Sequence, residues 1–356
     1  MGIDYNQIVA ALRAIPDPQT GQDIIQARLV QDLSVEQDQI YFSLVLPSSY
    51  DAQKEALNLA CQNAIHALYS NAQVHIHFKT AAQKLGPLPQ VKNIIAVASG
   101  KGGVGKSTVS ANLALALQKM GKKVGLLDAD LYGPSIPTMF GLEGQKPASK
   151  ILYGKRRMLP LEAYGIQLMS VGFIVPPEQA VVMRGPKLSG MITHFLKEVL
   201  WPDLDYLIVD LPPSTGDIQL TFAKTVSITG AIMVTTPQKV AVVDAVKAMN
   251  MFTNAALNVP ILGVVENMAW FTPKEFPDYK YFLFGEGGGQ QLAAMGKTVL
   301  LGQVPLIQGI REAGDVGKPA LLQTDTLLQT PFMKVAAQLV QQLNYQAKEI
   351  NQATKS

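Results

Sequence analysis

From Asn93 onward the chain alternates short uncharged runs with stretches of helical spacing. Ile94–Ser99, Val124–Asp128, Tyr206–Asp210, Ala231–Thr235 and Ile261–Val265 are near-continuous apolar runs, as strands buried on both faces must be. Between the first two, Val109, Leu113, Leu117 and Met120 fall on one side of a helix. The pattern predicts an α/β domain, a doubly wound and mostly parallel sheet, with its ligand at the carboxyl ends of the strands. The first 80 residues follow a different rhythm. Tyr5–Arg13 has helical spacing through Ile8, Val9 and Leu12, and Pro16-Asp17-Pro18 with Gly21 marks a turn. Ile25–Leu33 and Gln39–Leu46 alternate like strands, Tyr50–Leu68 returns to helical spacing, and Val74–Phe78 is a short strand. The order α-β-β-α-β predicts a small α+β domain over residues 1–80. Residues 81–92, with Lys84, Pro87, Pro89 and Lys92, read as a linker to an α/β domain over 93–348, and 349–356 as a flexible tail. Phe332–Leu343 is apolar at helical spacing. Its low basic content favours a core-packing helix over a membrane-surface one.

Composition narrows the class. Of 356 residues, 48% are hydrophobic and 16% charged, enough apolar material for a sizeable core and too much for a disordered chain. A formal net charge of +3 gives no footprint for nucleic acid or an anionic membrane. The start, Met1 to Asn6, has neither the basic region nor the apolar core of a signal peptide. The longest uncharged stretch, Ala248–Val265, is broken by three asparagines and Pro260, so no membrane span is expected. A single cysteine, Cys61, excludes an intrachain disulfide and fits a cytoplasmic protein.

The candidate chemistry begins at Ser99-Gly100-Lys101-Gly102-Gly103-Val104-Gly105-Lys106-Ser107-Thr108. Strand, glycine loop and helix are the context that GxxxxGK[ST] requires of a phosphate-binding loop. Glycines let backbone N–H groups turn inward around phosphate oxygens, and the helix N-terminus adds its dipole. Lys106 can reach the β- and γ-phosphates, and Ser107 can offer its hydroxyl to Mg²⁺. Two further strands end in carboxylates. Leu126-Leu127-Asp128-Ala129-Asp130 places two on one side, and Leu207-Ile208-Val209-Asp210 places a third before a loop holding Gly216. A carboxylate at a strand end can hold Mg²⁺ directly or through water.

Lys101 is one lysine more than phosphate binding needs. It resembles the "deviant" lysine of the ParA/MinD-like class, which crosses a dimer interface to the partner's ATP. The run Val97–Leu115, Leu127–Ser135, Met183-Arg184-Gly185-Pro186, Asp210-Leu211-Pro212-Pro213 and Glu266-Asn267-Met268 together resemble the Mrp/ApbC family of iron–sulfur scaffold ATPases, in order and over almost the whole chain. The N-terminal unit is similar to the SufT-like domain often fused to them. The resemblance implies a Mg-ATP-dependent homodimer acting in iron–sulfur cluster assembly or transfer to apoproteins, with assembly factors as further partners. It implies that Gly100 to Thr108 bind the phosphates, that Lys101 acts in trans, and that Ser107 and Asp210 hold Mg²⁺. Asp130 would position the attacking water, Asn267 would recognise adenine, Asp128 would stand behind these, and hydrolysis would be slow.

The chain departs from that family in its cysteines. Most members of that family carry Cys-x-x-Cys shortly after the Asn-Met pair, so that a dimer offers four thiolates to one cluster. Here Ala269 to Gly285 holds none, and the SufT-like unit has Leu46-Pro47-Ser48-Ser49-Tyr50 where a cysteine usually stands. A cluster wants four cysteine ligands, and a homodimer of this chain has two. Cys61, beside Ala60 and Ala64 in a helical pattern, has the setting of a buried structural thiol. Glu275 and Asp278 are hard ligands that suit such a cluster poorly. An adaptor that is switched by ATP and carries no cluster is therefore the alternative reading. A DNA- or membrane-positioning ATPase would need a basic patch that the charge does not supply. His75 and His77 share one strand face without an evident third ligand. Gly285-Glu286-Gly287-Gly288-Gly289 reads as a mobile loop near the dimer face.

Overall fold

The computed structural model describes residues 3–353 apart from 47–49, 51–52, 81–87, 131–132, 175–189, 191–194, 215, 274 and 277. The chain runs α1 (Tyr5–Arg13), β1 (Val30–Glu36), β2 (Gln39–Leu46), α2 (Lys54–His66) and β3 (Gln73–Thr80), then β4 (Val91–Ser99), α3 (Lys106–Lys119), β5 (Val124–Asp128) and the short α4 (Ile136–Met139). The hairpin β6 (Ser149–Leu152) and β7 (Lys155–Met158) precedes β8 (Leu161–Ala163), β9 (Ile166–Ser170) and β10 (Leu204–Asp210). α5 (Asp217–Thr225), β11 (Gly230–Thr235), α6 (Lys239–Thr253), β12 (Ile261–Phe271), α7 (Gly288–Met295), β13 (Leu300–Leu306), α8 (Gln308–Asp315) and α9 (Thr326–Ala353) complete it.

Two compact units divide these elements. The first holds Met1–Gln90 together with Ala148–Leu159 and Phe195–Pro202. Its sheet has the order β1-β2-β3, antiparallel then parallel. Ile40, Phe42, Leu44 and Leu46 alternate inward along β2 and meet Ile8 and Leu12 of α1 and Leu57, Cys61 and Ile65 of α2. Where alternation predicts a strand over Ile25–Leu33, the chain turns instead, and β1 begins at Val30. Asp23 caps that turn, accepting from the amides of Gln26 at 2.7 Å and, through its carbonyl, Ala27 at 2.9 Å. Local side-chain bonding of this kind competes with strand pairing.

The Asp17 turn is the polar centre of this unit. Asp17 is buried and accepts from Tyr50 Oη and Thr20 Oγ1, each at 2.5 Å, and from the Gln19 amide at 3.0 Å. Burial, and then the Asp17 carboxylate, hold the Tyr50 hydroxyl protonated well beyond its usual range. Residues from the two later stretches close the turn. Arg157 donates to the carbonyls of Pro18 at 3.1 Å and Lys197 at 2.6 Å and pairs with Glu198 at 2.8 Å, and Tyr153 Oη donates to Pro16 O at 2.8 Å.

The second unit holds Val91–Pro147, Pro160–His194 and Asp203–Ser356. Its eight strands lie in the order β13-β12-β11-β4-β10-β5-β9-β8, parallel except for β8. Two helix layers cover it: α3 packs on β4, β10 and β5 with α9 beside it, while α6 packs on β11 and β4 and touches α7. Val109, Leu113 and Leu117 are buried as their spacing predicts, but Ala111, Ala114, Leu115 and Ala116 are buried too, because α3 is packed all round. In α9, Phe332, Val335, Ala336 and Leu339 form the buried stripe of a core-packing helix. That helix runs through Ala353, into the stretch read from the sequence as a tail. β13 contains Gly302 and Pro305, breaker signals that an edge strand tolerates. The glycine run is not an open loop throughout: Gly288 and Gly289 are buried in the first turn of α7.

Tyr50→Phe leaves buried Asp17 short of one donor. The expected cost is about 1–3 kcal/mol, read as a lowered midpoint in denaturant unfolding.

Candidate functional site

Parallel register brings the strand ends of the second unit together. Asp210 of β10 lies opposite Val97 of β4 on one side and Asp128 of β5 on the other, and Asp128 lies opposite Ser170 of β9. β4 is central, with β11 and β10 as neighbours, and the loop after it opens at the point where the chain's crossovers diverge. Lys106, the first residue of α3, is only 6% exposed. Its Nζ stands 2.9 Å from Asp210 Oδ1 and 3.5 Å from Asp130 Oδ2. Asp210 is fully buried and also accepts from Ser107 Oγ at 2.5 Å and Ser110 Oγ at 2.7 Å.

Asp128 accepts from the Asp130 amide at 3.1 Å, the Ile136 amide at 3.2 Å and Ser170 Oγ at 3.0 Å. Burial, and then the neighbouring Asp210 carboxylate, push its carboxyl well above the usual range, while Lys106, the Asp130 amide and the Ser170 hydroxyl pull it back. Asp128 thus braces the loop that presents Asp130 at the cavity wall. The loop after Asp210 is tied to the phosphate loop, because the Ser214 amide donates to Ser99 O at 3.0 Å and Ser99 Oγ donates to Lys101 O at 3.0 Å. Gln219 is buried and donates to Pro212 O at 2.6 Å.

Asn267 comes from β12 and is buried behind the loop. Its Nδ2 donates to Val104 O at 2.9 Å. Gly105 has φ +81°, and a Cβ there would sit 2.1 Å from Asn267 Nδ2. The left-handed conformation and the close approach both require glycine. A cavity of about 680 Å³ joins these parts. Residues of the phosphate loop, Asp130, Asn267 and Arg311 are among those that line it.

The residues singled out in the sequence therefore meet: Lys101, Gly102, Gly103, Val104, Gly105, Lys106, Ser107, Thr108, Asp130 and Asn267 face one cavity, and Asp210 lies beneath Ser107 and Lys106. Gly100 opens the same loop. Ser110 was missed, although it stands three residues after Ser107 and so on the same helix face. Ser170 carried no signal of its own, since β9 is a short strand between breaker-rich segments. Leu131-Tyr132, the Met183–Pro186 motif and Thr215 lie outside the described residues. Cys61 is not among these residues. It is buried in the first unit, and burial pushes its thiol up to about 12. His75 stacks on Tyr41 with ring centroids 4.7 Å apart, and among the described residues no three His, Cys, Asp or Glu gather to hold a metal ion. No helix among the described residues is long and apolar enough to cross a membrane.

A strand, a glycine loop closing on a helix N-terminus, and carboxylates from two adjacent strands around the loop lysine define a P-loop nucleotide-binding NTPase. The match extends beyond the site. The chain belongs to the ParA family of NUBPL iron-transfer P-loop NTPases, whose model matches residues 90–341. A second model, of an iron–sulfur cluster assembly protein, matches residues 6–77. An iron–sulfur cluster carrier protein of Synechocystis is 42% identical over 327 residues, covering 88% of this chain and 90% of that one. A nucleotide-binding protein of Archaeoglobus fulgidus, solved in complex with ADP, is 39% identical with a TM-score of 0.56, covering 65% of this chain and 88% of that one. The cell division ATPase MinD of Pyrococcus furiosus shares the fold, with 22% identity, a TM-score of 0.50, and coverage of 70% of this chain and 99% of that one.

Gly105→Ala adds strain at positive φ and displaces Asn267 from Val104. The expected result is at least about a tenfold loss of nucleotide affinity, or 1.4 kcal/mol, measured by titration with a fluorescent ADP analogue.

Proposed function

We propose that this chain is a Mg-ATP-dependent homodimeric ATPase of the cytoplasm that acts in iron–sulfur cluster assembly or in transfer to apoproteins. The observation that carries the reading is the convergence of Lys106, Ser107 and Asp130 on one cavity with Asp210 bonded beneath them, in a chain whose other unit matches an iron–sulfur assembly model. The carrier names of the relatives support the same role.

The chemistry follows from charge. Two carboxylates, Asp130 and Asp210, face one ammonium, so polyphosphate alone would meet surplus negative charge. The donor set fits Mg²⁺, because Ser107 Oγ and Asp210 Oδ2 are hard oxygens 2.5 Å apart at the strand end. When bound, the metal ion would neutralise phosphate charge. Lys106 exchanges its carboxylate partners for phosphate oxygens, the loop amides from Gly100 to Thr108 fix the phosphates, and Asp130 orients the attacking water. For phosphoryl transfer such positioning is most of what a protein supplies. Hydrolysis in this arrangement would be slow, as befits a switch. Lys101, half-exposed at the cavity wall, would reach the nucleotide of a second protomer. Moving a dimer from 1:99 to 99:1 takes about 5.5 kcal/mol of differential binding, which two shared nucleotides would supply.

The cluster is cargo, and the residues do not fit its usual holder. Four thiolates are wanted, and the chain's single cysteine is buried with a raised thiol pKa. This favours a second reading, an ATP-switched adaptor that binds partners and carries no cluster. Exposed Phe276, Tyr279, Tyr281, Phe282 and Leu283, in the stretch after the Asn-Met pair where the resemblance leads one to expect cysteines, also favour it.

Lys101→Ala is expected to keep nucleotide binding and lose ATP-dependent dimerisation by light scattering; unchanged dimerisation rejects the trans role. Anaerobic reconstitution with iron and sulfide, read by visible absorbance and bound iron, separates the two readings. A cluster present in the wild type and lost in Cys61→Ser supports carriage. No cluster in either, with ATP-dependent stimulation of transfer from a loaded scaffold to an apoprotein, supports the adaptor. No stimulation of transfer by either protein would sink the iron–sulfur role.

A further inference from the structure

β12 continues past the carboxyl end of the sheet. Its register with β13 jumps between Asn267 and Phe271, and Met268 takes φ +55°. Beyond that kink the chain forms a flap. Phe271 and Tyr281 exchange backbone hydrogen bonds at 2.9 and 2.8 Å, Lys280 lies 4.1 Å above the Trp270 ring, and Phe276 meets Tyr279 edge to face at 6.1 Å. The flap ends where α7 begins.

Both ends of this flap are held by two adjacent side chains. Asn267 reaches one way, to Val104 O in the phosphate loop. Glu266, its neighbour on an extended strand, points the other way. Glu266 is 1% exposed; it accepts from the Gly289 amide at the start of α7, and its Oε1 accepts from Gln303 Nε2 at 3.0 Å. A Cβ on Gly289 would lie 2.6 Å from Glu266 Cβ, so α7 reaches this carboxylate only because position 289 is glycine. Nothing in the nucleotide chemistry uses Glu266. A buried carboxylate at that point nevertheless locks strand, helix and edge strand together next to the residue that touches the loop.

We propose that Glu266 is a positioning residue that ties the aromatic flap, built by Trp270, Phe271, Phe276 and Tyr279 to Tyr281, to the phosphate loop, so that the conformation of these residues follows nucleotide occupancy. The proposal rests on the nucleotide-binding reading above. A rearranged Val104 carbonyl moves Asn267. With Glu266 pinned to Gly289 and Gln303, that movement is passed along the strand into Met268 and Trp270 rather than dissipated in a loose strand end.

Trp270 is the reporter. The chain's other tryptophan, Trp201, is buried in the other unit. Mg-ADP is titrated into the full chain while tryptophan emission and a fluorescent-ADP competition are followed, with Trp270→Phe as the control for the signal. The wild type is expected to bind and to change its Trp270 emission. Glu266→Ala is expected to bind within tenfold of the wild type and lose more than half of the emission change. Glu266→Gln keeps both hydrogen bonds once the Gln303 amide flips, and is expected to restore the change. A full response in folded Glu266→Ala, or a Glu266→Gln as defective as Ala, overturns the proposal. Should Glu266→Ala fail to fold, Gln303→Ala removes one of the two donors; a reduced response supports the proposal, and an unchanged response overturns it. A wild type that binds Mg-ADP with no Trp270 change overturns the relay alone. A wild type that binds no nucleotide overturns the site reading and the relay with it.

Discussion

One buried ammonium group sets the terms for the larger unit. Removing an ion from water costs several kcal/mol unless partners compensate, and Lys106 is 6% exposed. Asp210 at 2.9 Å and Asp130 at 3.5 Å provide that compensation, but each has needs of its own. Asp210 takes hydroxyls from Ser107 and Ser110, which fixes the first turn of α3 against β10. Asp130 takes its place from Asp128, which is itself braced by Ser170 from the next strand. Three strand ends and one helix are therefore registered by a chain of bonds that starts at one lysine. The glycine loop can remain open because the groups around it are fixed.

That economy explains what was legible in the sequence. Strands ending at Ser99, Asp128 and Asp210 were readable because a two-sided buried strand is a continuous apolar run, and because phosphate chemistry needs a fixed residue spacing. The elements that did not announce themselves are those whose stability comes from neighbours. β13 carries Gly302 and Pro305 yet holds its place through pairing with β12 and burial under α9. β1 starts five residues later than its alternation suggests, because Asp23 caps a turn over that stretch. Apolar–polar alternation cannot distinguish a strand from a turn whose side chains happen to alternate.

Candidate site residues divide the same way. Lys101, Lys106, Ser107, Asp130, Asp210 and Asn267 could be named from motif and resemblance, and the structure gathers them around one cavity. Ser170 and Gln303 could not, since their work is to hold other side chains and they belong to no short motif. The absence of paired cysteines was plain from counting, and the burial of Cys61 follows from its place among Leu57 and Ile65 on the inner face of α2.

The Asp17 turn has a consequence for synthesis. A chain emerges from the ribosome from its N-terminus, and domains generally fold as they are completed. Here the first unit to emerge is not complete at residue 90. Arg157 and Tyr153 close the turn around Pro16 and Pro18, and Phe195–Pro202 belongs to the same unit. The N-terminal unit is therefore complete only once residue 202 has been made. By then β4, α3, β5 and β9 have already appeared, and β10 is the next strand to follow. At the usual pace of about 5–20 residues per second, that interval is several seconds or more. During that time the first unit lacks its two closing stretches and the second is only begun, and this is when the chain depends most on whatever shields exposed apolar surface in the cell.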